Sequence, residues 1–430
     1  MILIGISLGY FMVLLDLTVL SVAEPNLVDS LHTTIAGLQW ATTGYTVVFG
    51  ALLLSGGAIA DRYGAHRVFR TGIAVFGVGS LLSALAPSLP VLVALRALLG
   101  AAAAACVPAS MAMVARLYPD PTKRTRAIAT WAAISGAAVA AGPIIGGVLV
   151  DLAGWRAVFL VNVPIALLVL AMTTRQVRQP RTDRRIDWTA QLTACAVLAL
   201  LTDTLVAAGA ASWPHAAVSA TLTVVATAVF VTMEKRSTAP VLNRSLIKSR
   251  SVLACLAAGA AVNFTLNGCL FVLPLLLQHL TALQTGLAFL PLTLPFVLNP
   301  PVTGRLVARF GPRPPVLAGL ALLTAGGATL GSVAWTGAGY GWLALGLLLT
   351  GFGVSFVLPA AVSAIIAAAP DGTAGAAGGL LNAVRQTGAT LGVAVMGAVS
   401  INHALFLAAA VCAAAGGWFA TRVAPQYQGS

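Results

Sequence analysis

Charge is what this chain has least of. Only 8% of its 430 residues are Asp, Glu, Lys or Arg, and 59% are hydrophobic. A soluble domain carries about 25% charged residues, so a water-soluble enzyme or binding domain is excluded. Cysteine is scarce and scattered. Cys106, Cys195, Cys255, Cys269 and Cys412 lie singly inside apolar runs with no metal-ligand spacing, which makes them small buried hydrophobes in expectation. His32, His215, His279 and His403 fall in or near expected outer turns and form no cluster with carboxylates, so no metal site is expected. There is no Walker-type loop and no polar stretch large enough for an ATP-hydrolysing domain. Paired carboxylates and a Ser/His/Asp set are missing too. The expectation is therefore a protein that is not an enzyme and needs no cofactor. Acids are rarest of all, 11 against 24 Lys and Arg, giving a net charge of +13. In a soluble protein that excess would suggest nucleic acid. Here the basic residues cluster in alternate loops, so the charge reports membrane topology and no nucleic-acid partner is expected.

What the chain does have is long apolar runs. Length and apolarity give about fourteen spans, near 2–23, 36–59, 68–86, 90–116, 127–150, 156–174, 188–209, 215–233, 252–277, 286–307, 315–335, 341–368, 376–399 and 402–421. The first run lacks a basic leader and a small-residue cleavage site, so it is expected to remain as a span. Loops 61–67, 117–126, 175–187, 234–250 and 308–314 carry the Lys and Arg residues, while the intervening turns carry none. That alternation puts the basic loops and both termini in the cytoplasm. Loop 369–374 should also lie inside, yet it holds Asp371 and no cation. The expected class is an all-α polytopic membrane protein in three parts. These are a six-helix bundle over 1–174, a segment over 175–251 holding an inserted helical hairpin (188–233) between basic loops, and a second six-helix bundle over 252–430.

A charged hinge joins the second and third spans: Gly57-Ala-Ile-Ala-Asp61-Arg62-Tyr-Gly64-Ala-His66-Arg67. Gly57 and Gly64 permit a tight turn, and a carboxylate among arginines could latch helices and release them as they move. An ordinary cytoplasmic loop is the plainer reading. A second copy, Gly304-Arg305-Leu306-Val-Ala308-Arg309-Phe310-Gly311-Pro-Arg313, lies far downstream, as a transporter built of two related halves should show. Ala308 stands where Asp61 stands, so the carboxylate belongs to the first half alone.

Ionisable residues inside spans mark function by default, because a charge facing lipid costs at least a few kcal/mol. Asp16, in Leu14-Leu15-Asp16-Leu17-Thr18, must face a cavity or a partner. A carboxyl group out of water favours its neutral form, and a proton-coupled transporter needs such a group beside a wet path. A structural aspartate bonded to a neighbouring helix is the competing reading. Arg96, mid-span, requires a carboxylate, carbonyl or water partner, and whether it meets Asp16 is open. Glu24, before Pro25, is expected near the outer interface, and Asp203 lies among polar neighbours in the hairpin. Gly136, Gly142, Pro143, Gly146 and Gly147 make the fifth span small and interrupted, suited to close packing and bending. Trp155-Arg156-Ala-Val-Phe159 opens the sixth span and leads to Asn162 and Pro164. Asn263 and Asn267 share a helix face, and Asn382, Arg385 and Gln386 cluster in the thirteenth span. With Thr18, these polar groups either line a cavity or tie helices together. Pro291, Pro295, Pro300 and Pro301 should break the tenth span.

Taken together, these motifs resemble the major facilitator superfamily over nearly the whole chain, and within it the fourteen-helix drug:proton antiporters. Gly57 to Arg67 is similar to the family's signature loop, and Leu95 to Gly100 with Arg96 to a fourth-helix motif credited with proton transfer. Gly136 to Gly147 resembles the fifth-helix motif of exporters. Asp16 to Pro25 resembles the first-helix motif whose aspartate is a proton-coupling candidate. Trp155 to Pro164 and Asn382 to Gly388 also match. The departures are Ser21 for a usual asparagine, Glu24 for a usual apolar residue, and His66 where Lys or Arg is common, which could make that loop slightly pH-sensitive.

The resemblance implies a monomer in a bacterial cytoplasmic membrane, exporting small, mostly apolar drugs or antibiotics in exchange for protons. Asp16 would carry the proton, Arg96 would modulate it, and Asp61 with Arg62 would latch one state. A proton-coupled symporter importing a metabolite is the alternative, and a non-transporting scaffold or sensor is another.

Overall fold

The computed structural model describes residues 2–174, 188–236, 244–370 and 374–423, and they contain helix, turns and no strand. The basic loop over 175–187, residues 237–243 of the loop over 234–250, and Asp371 lie outside the described residues.

In chain order the helices begin with α1 (Ile2–Val19), a 3-10 turn (Ser21–Ala23), α2 (Glu24–Leu31), α3 (Ile35–Tyr63), α4 (Ala65–Ala84) and α5 (Leu89–Leu117). They continue with α6 (Pro121–Ala153), α7 (Ala157–Leu160), α8 (Asn162–Met172), α9 (Trp188–Gly209), α10 (Trp213–Arg236) and α11 (Arg244–Lys248). The remainder are α12 (Arg250–Leu276), α13 (Ala282–Ala288), α14 (Leu290–Leu298), α15 (Pro300–Phe310), α16 (Arg313–Thr336), α17 (Tyr340–Ala368), α18 (Ala374–Ala398) and α19 (Ile401–Arg422).

Local chemistry fixes many of these ends. Side chains of Thr34, Asp120 and Ser249 accept from backbone N–H groups in the first turns of α3, α6 and α12, satisfying donors that lipid cannot. Gly64, Gly154, Gly311 and Gly337 stop α3, α6, α15 and α16 with positive φ. At Gly64, with φ of +91°, one residue separates α3 from α4. The downstream copy behaves alike, Gly311 ending α15 with φ of +78°.

Among the described residues, nine helices are long and apolar enough to cross a membrane, or ten counting α3, which bends by 62° between Leu53 and Ser55. A Ser-Gly-Gly run begins at that bend, a composition that weakens helix continuity. Fourteen spans are not reached by this measure. Charged and polar residues dilute α4 and α18, a break at Val161 shortens α7 and α8, and the prolines divide the tenth span into α14 and α15.

The chain divides into two compact units, Met1–Leu200 with Leu222–Val241 and Gln278–Leu287, and Leu201–Thr221 with Leu242–Leu277 and Ala288–Ser430. The first has a core of Ile6, Met12, Tyr45, Phe49, Phe69, Ile73, Phe76 and Leu99. The second buries Val262, Phe271, Leu292, Leu323, Val357, Leu405 and Phe419. Exposed Val218, Leu222, Val224, Val225 and Val229 on α10 give the surface an apolar band that hydrocarbon would cover.

Candidate functional site

The first unit buries one ion pair. Asp16 on α1 is fully buried and Arg96 on α5 is 1% exposed. Arg96 Nη1 donates to Asp16 Oδ2. Its Nε donates to the Ala41 carbonyl on α3 at 3.1 Å, and its guanidinium carbon lies 4.7 Å from the Tyr45 ring centre. Asn162, the first residue of α8, donates through Nδ2 to Asp16 Oδ1 at 3.0 Å, with Ser80 Oγ on α4 at 3.3 Å. Five helices thus supply one polar knot, and both oxygens of Asp16 are occupied. A carboxylate held by a guanidinium and an amide is compensated in its charged form. In this conformation Asp16 faces two partners, Arg96 and Asn162, one on each oxygen.

Glu24, beyond the end of α1, is 1% exposed. The 3-10 turn after α1 carries the chain on into α2, whose first residue faces α3. Thr42 Oγ1 lies 3.5 Å from Glu24 Oε1, and Glu24 Oε2 has no hydrogen-bond partner.

The exporter-type helix is α6. A Cβ on Gly142 would stand 2.7 Å from Thr18 Cβ, and one on Gly146 would stand 2.6 Å from the Val19 carbonyl oxygen. Two glycines on one face therefore let α6 lie directly on α1, and Gly136 is half-buried earlier on the same helix. Thr18, a candidate cavity residue from sequence, is instead buried in this contact. Its hydroxyl bonds back to the Leu14 and Leu15 carbonyls, which satisfies it without a ligand.

At the α3–α4 turn, Arg62 and Arg67 are exposed and line a groove of about 710 Å³ with Tyr63, Val75 and Leu98. Arg62 leans over the Tyr63 ring at 5.5 Å, Asp61 is half-buried, and a Cβ on Gly57 would meet nothing within 4 Å. His66 sits in no open loop. It is buried at the start of α4, with Nε2 2.8 Å from the Thr173 carbonyl oxygen. In the second copy Arg313 Nη2 donates to the Ala420 carbonyl at 2.8 Å, and both pairs span 107 residues. The repeat thus extends to a matched anchor, each half tying its third helix to the end of its sixth.

In the second unit Arg385 Nη1 donates to Asn382 Oδ1 at 3.1 Å, and Nε to Asn263 Oδ1 at 3.4 Å. Asn267 Nδ2 donates to the Asn263 carbonyl at 3.0 Å. These four sequence candidates meet where α12 packs on α18. Gln386 enters only through its carbonyl, which accepts from Thr390. Asp203 takes a hydrogen bond from Ser219 across the hairpin, and His215 Nε2 lies 2.9 Å from Asp203 Oδ2.

The family model for the Major Facilitator Superfamily matches residues 6–393, and again 259–428. The chain belongs to the major facilitator superfamily. Its similar relatives include the multidrug resistance protein Stp of Mycobacterium tuberculosis, 33% identical over 92% of this chain and 75% of that one. The methylenomycin A resistance protein of Streptomyces coelicolor is 34% identical over 92% and 84%. The tetracenomycin C resistance and export protein of Streptomyces glaucescens is 32% identical over 93% and 76%. The fold resembles a POT family transporter crystallised with 5-aminolevulinic acid, with a TM-score of 0.74, 14% identity and coverage of 98% and 95%. Membership makes this a multi-pass membrane transporter of small molecules and not an enzyme.

Sequence reading of this superfamily member missed several partners. Asn162 is 146 residues from Asp16 in the chain, and only the fold brings the two together. Tyr45, Ser80 and Thr42 gave weaker signals, as isolated polar groups in apolar runs. Asp151 was also missed. Its carboxylate accepts from the Ala282 and Leu283 N–H groups at 3.1 and 3.0 Å, while Gly147 faces Ala282 and Gly286 faces the Pro143 carbonyl. The exporter-motif helix therefore has a second face, which holds α13 in the first unit. Asp151→Ala removes the acceptor for two amides. Amide hydrogen exchange at Ala282 and Leu283 is expected to quicken about tenfold, the equivalent of roughly 1.4 kcal/mol. Unchanged exchange there would show that glycine packing alone holds α13.

Proposed function

We propose that this transporter exports small, mostly apolar drugs or antibiotics across a bacterial cytoplasmic membrane in exchange for inward-moving protons. The observation that carries the coupling is the buried pair of Asp16 and Arg96 with Asn162 beside it. A proton arriving at Asp16 competes with Arg96 for the same oxygen. The protonated acid no longer needs the guanidinium, which keeps the Ala41 carbonyl and the Tyr45 ring as partners. Proton binding and helix rearrangement are thereby linked, and a drug that favours one arrangement exchanges with the proton without touching it.

Export is supported by the printed names of the relatives and by the α6 glycines lying on α1. In this reading both termini are cytoplasmic, the monomer is the working unit, and Asp61 with Arg62 and Arg67 latches the turn after α3. The sequence is read as two six-helix halves, 1–174 and 252–430, with the hairpin between them. Arg385 with Asn263, Asn267, Asn382 and Gln386, and separately Asp203, are the candidate polar contacts for substrate.

The test is a susceptibility profile of cells with and without the protein across antibiotics and cationic dyes, paired with transport in everted vesicles. Raised resistance to a subset of compounds, with proton-dependent uptake of the same compounds into everted vesicles, is expected. Sensitisation of the cells, or movement in the opposite direction, favours the importer.

A further inference from the structure

The pair of Asp16 and Arg96 leaves one buried acid of the first unit unexplained. Glu24 lies eight residues after Asp16, yet its surroundings are opposite in kind. Asp16 has a guanidinium and an amide, one on each oxygen. Glu24 has one long contact from Thr42, whose hydroxyl also reaches the Leu38 carbonyl at the shorter distance of 3.1 Å. A hydroxyl has one proton to donate, and the carbonyl is the nearer acceptor. The Glu24 carboxyl is thus buried with one oxygen unpartnered and the other barely served.

Among the described residues no cation pairs with it. Of the elements packed on α2, the 3-10 turn has no ionisable residue, and α3 carries Tyr45, which lies under Arg96, with Asp61, Arg62 and Tyr63 at its other end. On α6, which packs on the 3-10 turn, Asp151 is committed to two amides, while Lys123, Arg124 and Arg126 stand at the opposite end. Asp29, on α2 itself, is exposed. A carboxylate buried without a cation or strong donors takes up a proton instead.

We propose that Glu24 is a second proton-binding site of the exporter, occupied in the arrangement seen here, with Glu24 buried against α3, and emptied when α2 parts from α3 and water reaches the carboxyl. The site takes one proton and needs no other reactant, since carboxylate and hydronium give carboxylic acid and water. The inference rests on proton-coupled export and extends it. In one conformation Asp16 has a guanidinium partner and Glu24 has no cation partner among the described residues, so a single rearrangement alters the surroundings of both.

Two measurements test it. In infrared spectra of the purified protein in lipid nanodiscs at neutral pH, wild type and Asp16→Asn should both show a protonated carboxyl C=O band that Glu24→Gln lacks. A Glu24→Gln spectrum identical to wild type in that region overturns the proposal. In everted vesicles with tetracenomycin C as probe, wild type should move one more proton per drug than Glu24→Gln and Glu24→Leu. The leucine variant guards against a fault peculiar to glutamine. Equal ratios in all three overturn the proposal while leaving coupled export standing. No proton-driven movement in wild type sinks the coupling reading instead, and the infrared band then decides Glu24 on its own.

Discussion

Asp16→Asn is expected to abolish proton-driven export, lowering drug resistance to that of cells lacking the protein. The substitution keeps the shape of the side chain and removes its ability to exchange a proton. It also leaves Arg96 as a buried charge without a counter-ion, and breaking a buried pair this way costs about 3–5 kcal/mol. Loss of export by Asp16→Asn alone therefore has two explanations, uncoupling and unfolding. The double variant Asp16→Asn with Arg96→Gln separates them. It removes both charges and leaves a neutral amide pair in hydrogen-bonding reach, so its thermal stability should return close to wild type. Its export should not return, because no group remains at that place to take the proton. Resistance restored with stability would mean that the pair is structural.

Gly142→Val is expected to stop export through a different route. The first atom added to Gly142 already overlaps Thr18, and the two valine methyl groups lie further into α1. Thr18 is stiff at its branched Cβ and its hydroxyl is bonded back to its own helix, so α6 must move away from α1. Overpacking of this kind costs about 1–3 kcal/mol. Here the cost falls on the helix that also carries Asp151 and the α13 contact, which a transporter must keep adjustable. Gly142→Ala should retain part of the resistance and the pair Gly142→Ala with Thr18→Ala more of it, since alanine removes the hydroxyl that stands nearest to Gly142. Full resistance in Gly142→Val, with normal protein in the membrane, would show that α6 does not need to touch α1.

How much of this the sequence disclosed depends on the range of the interaction. The turn at Gly64 was legible because glycine between two apolar runs is a local signal, and the same holds for its copy at Gly311. Asp16 and Arg96 were legible singly, because an ionisable residue in hydrocarbon is costly wherever it points. Their meeting was not, since 80 residues separate them and no spacing rule spans that distance. The burial of Glu24 was not legible for a related reason, since the residue that covers it, Thr42, comes from α3, 18 residues on. Thr18 is legible as a hydroxyl in an apolar run, whereas the structure turns that hydroxyl and its Cβ into the floor beneath Gly142. The count of spans suffered from a rule that weighs apolarity, when helices such as α18 carry Arg385 and Asn382 and pack their small residues on a neighbour. Gly388, whose place a Cβ could not share with Ala260, is such a residue.

The most direct measurement of the central claim is drug-driven proton movement in everted vesicles that report their internal pH. Wild-type vesicles holding an acid interior should lose protons when a compound to which the protein raises resistance is added, and vesicles carrying Asp16→Asn with Arg96→Gln, at equal protein and equal starting gradient, should not. Proton release by the double variant at the wild-type rate would contradict the assignment of the exchanging proton to Asp16.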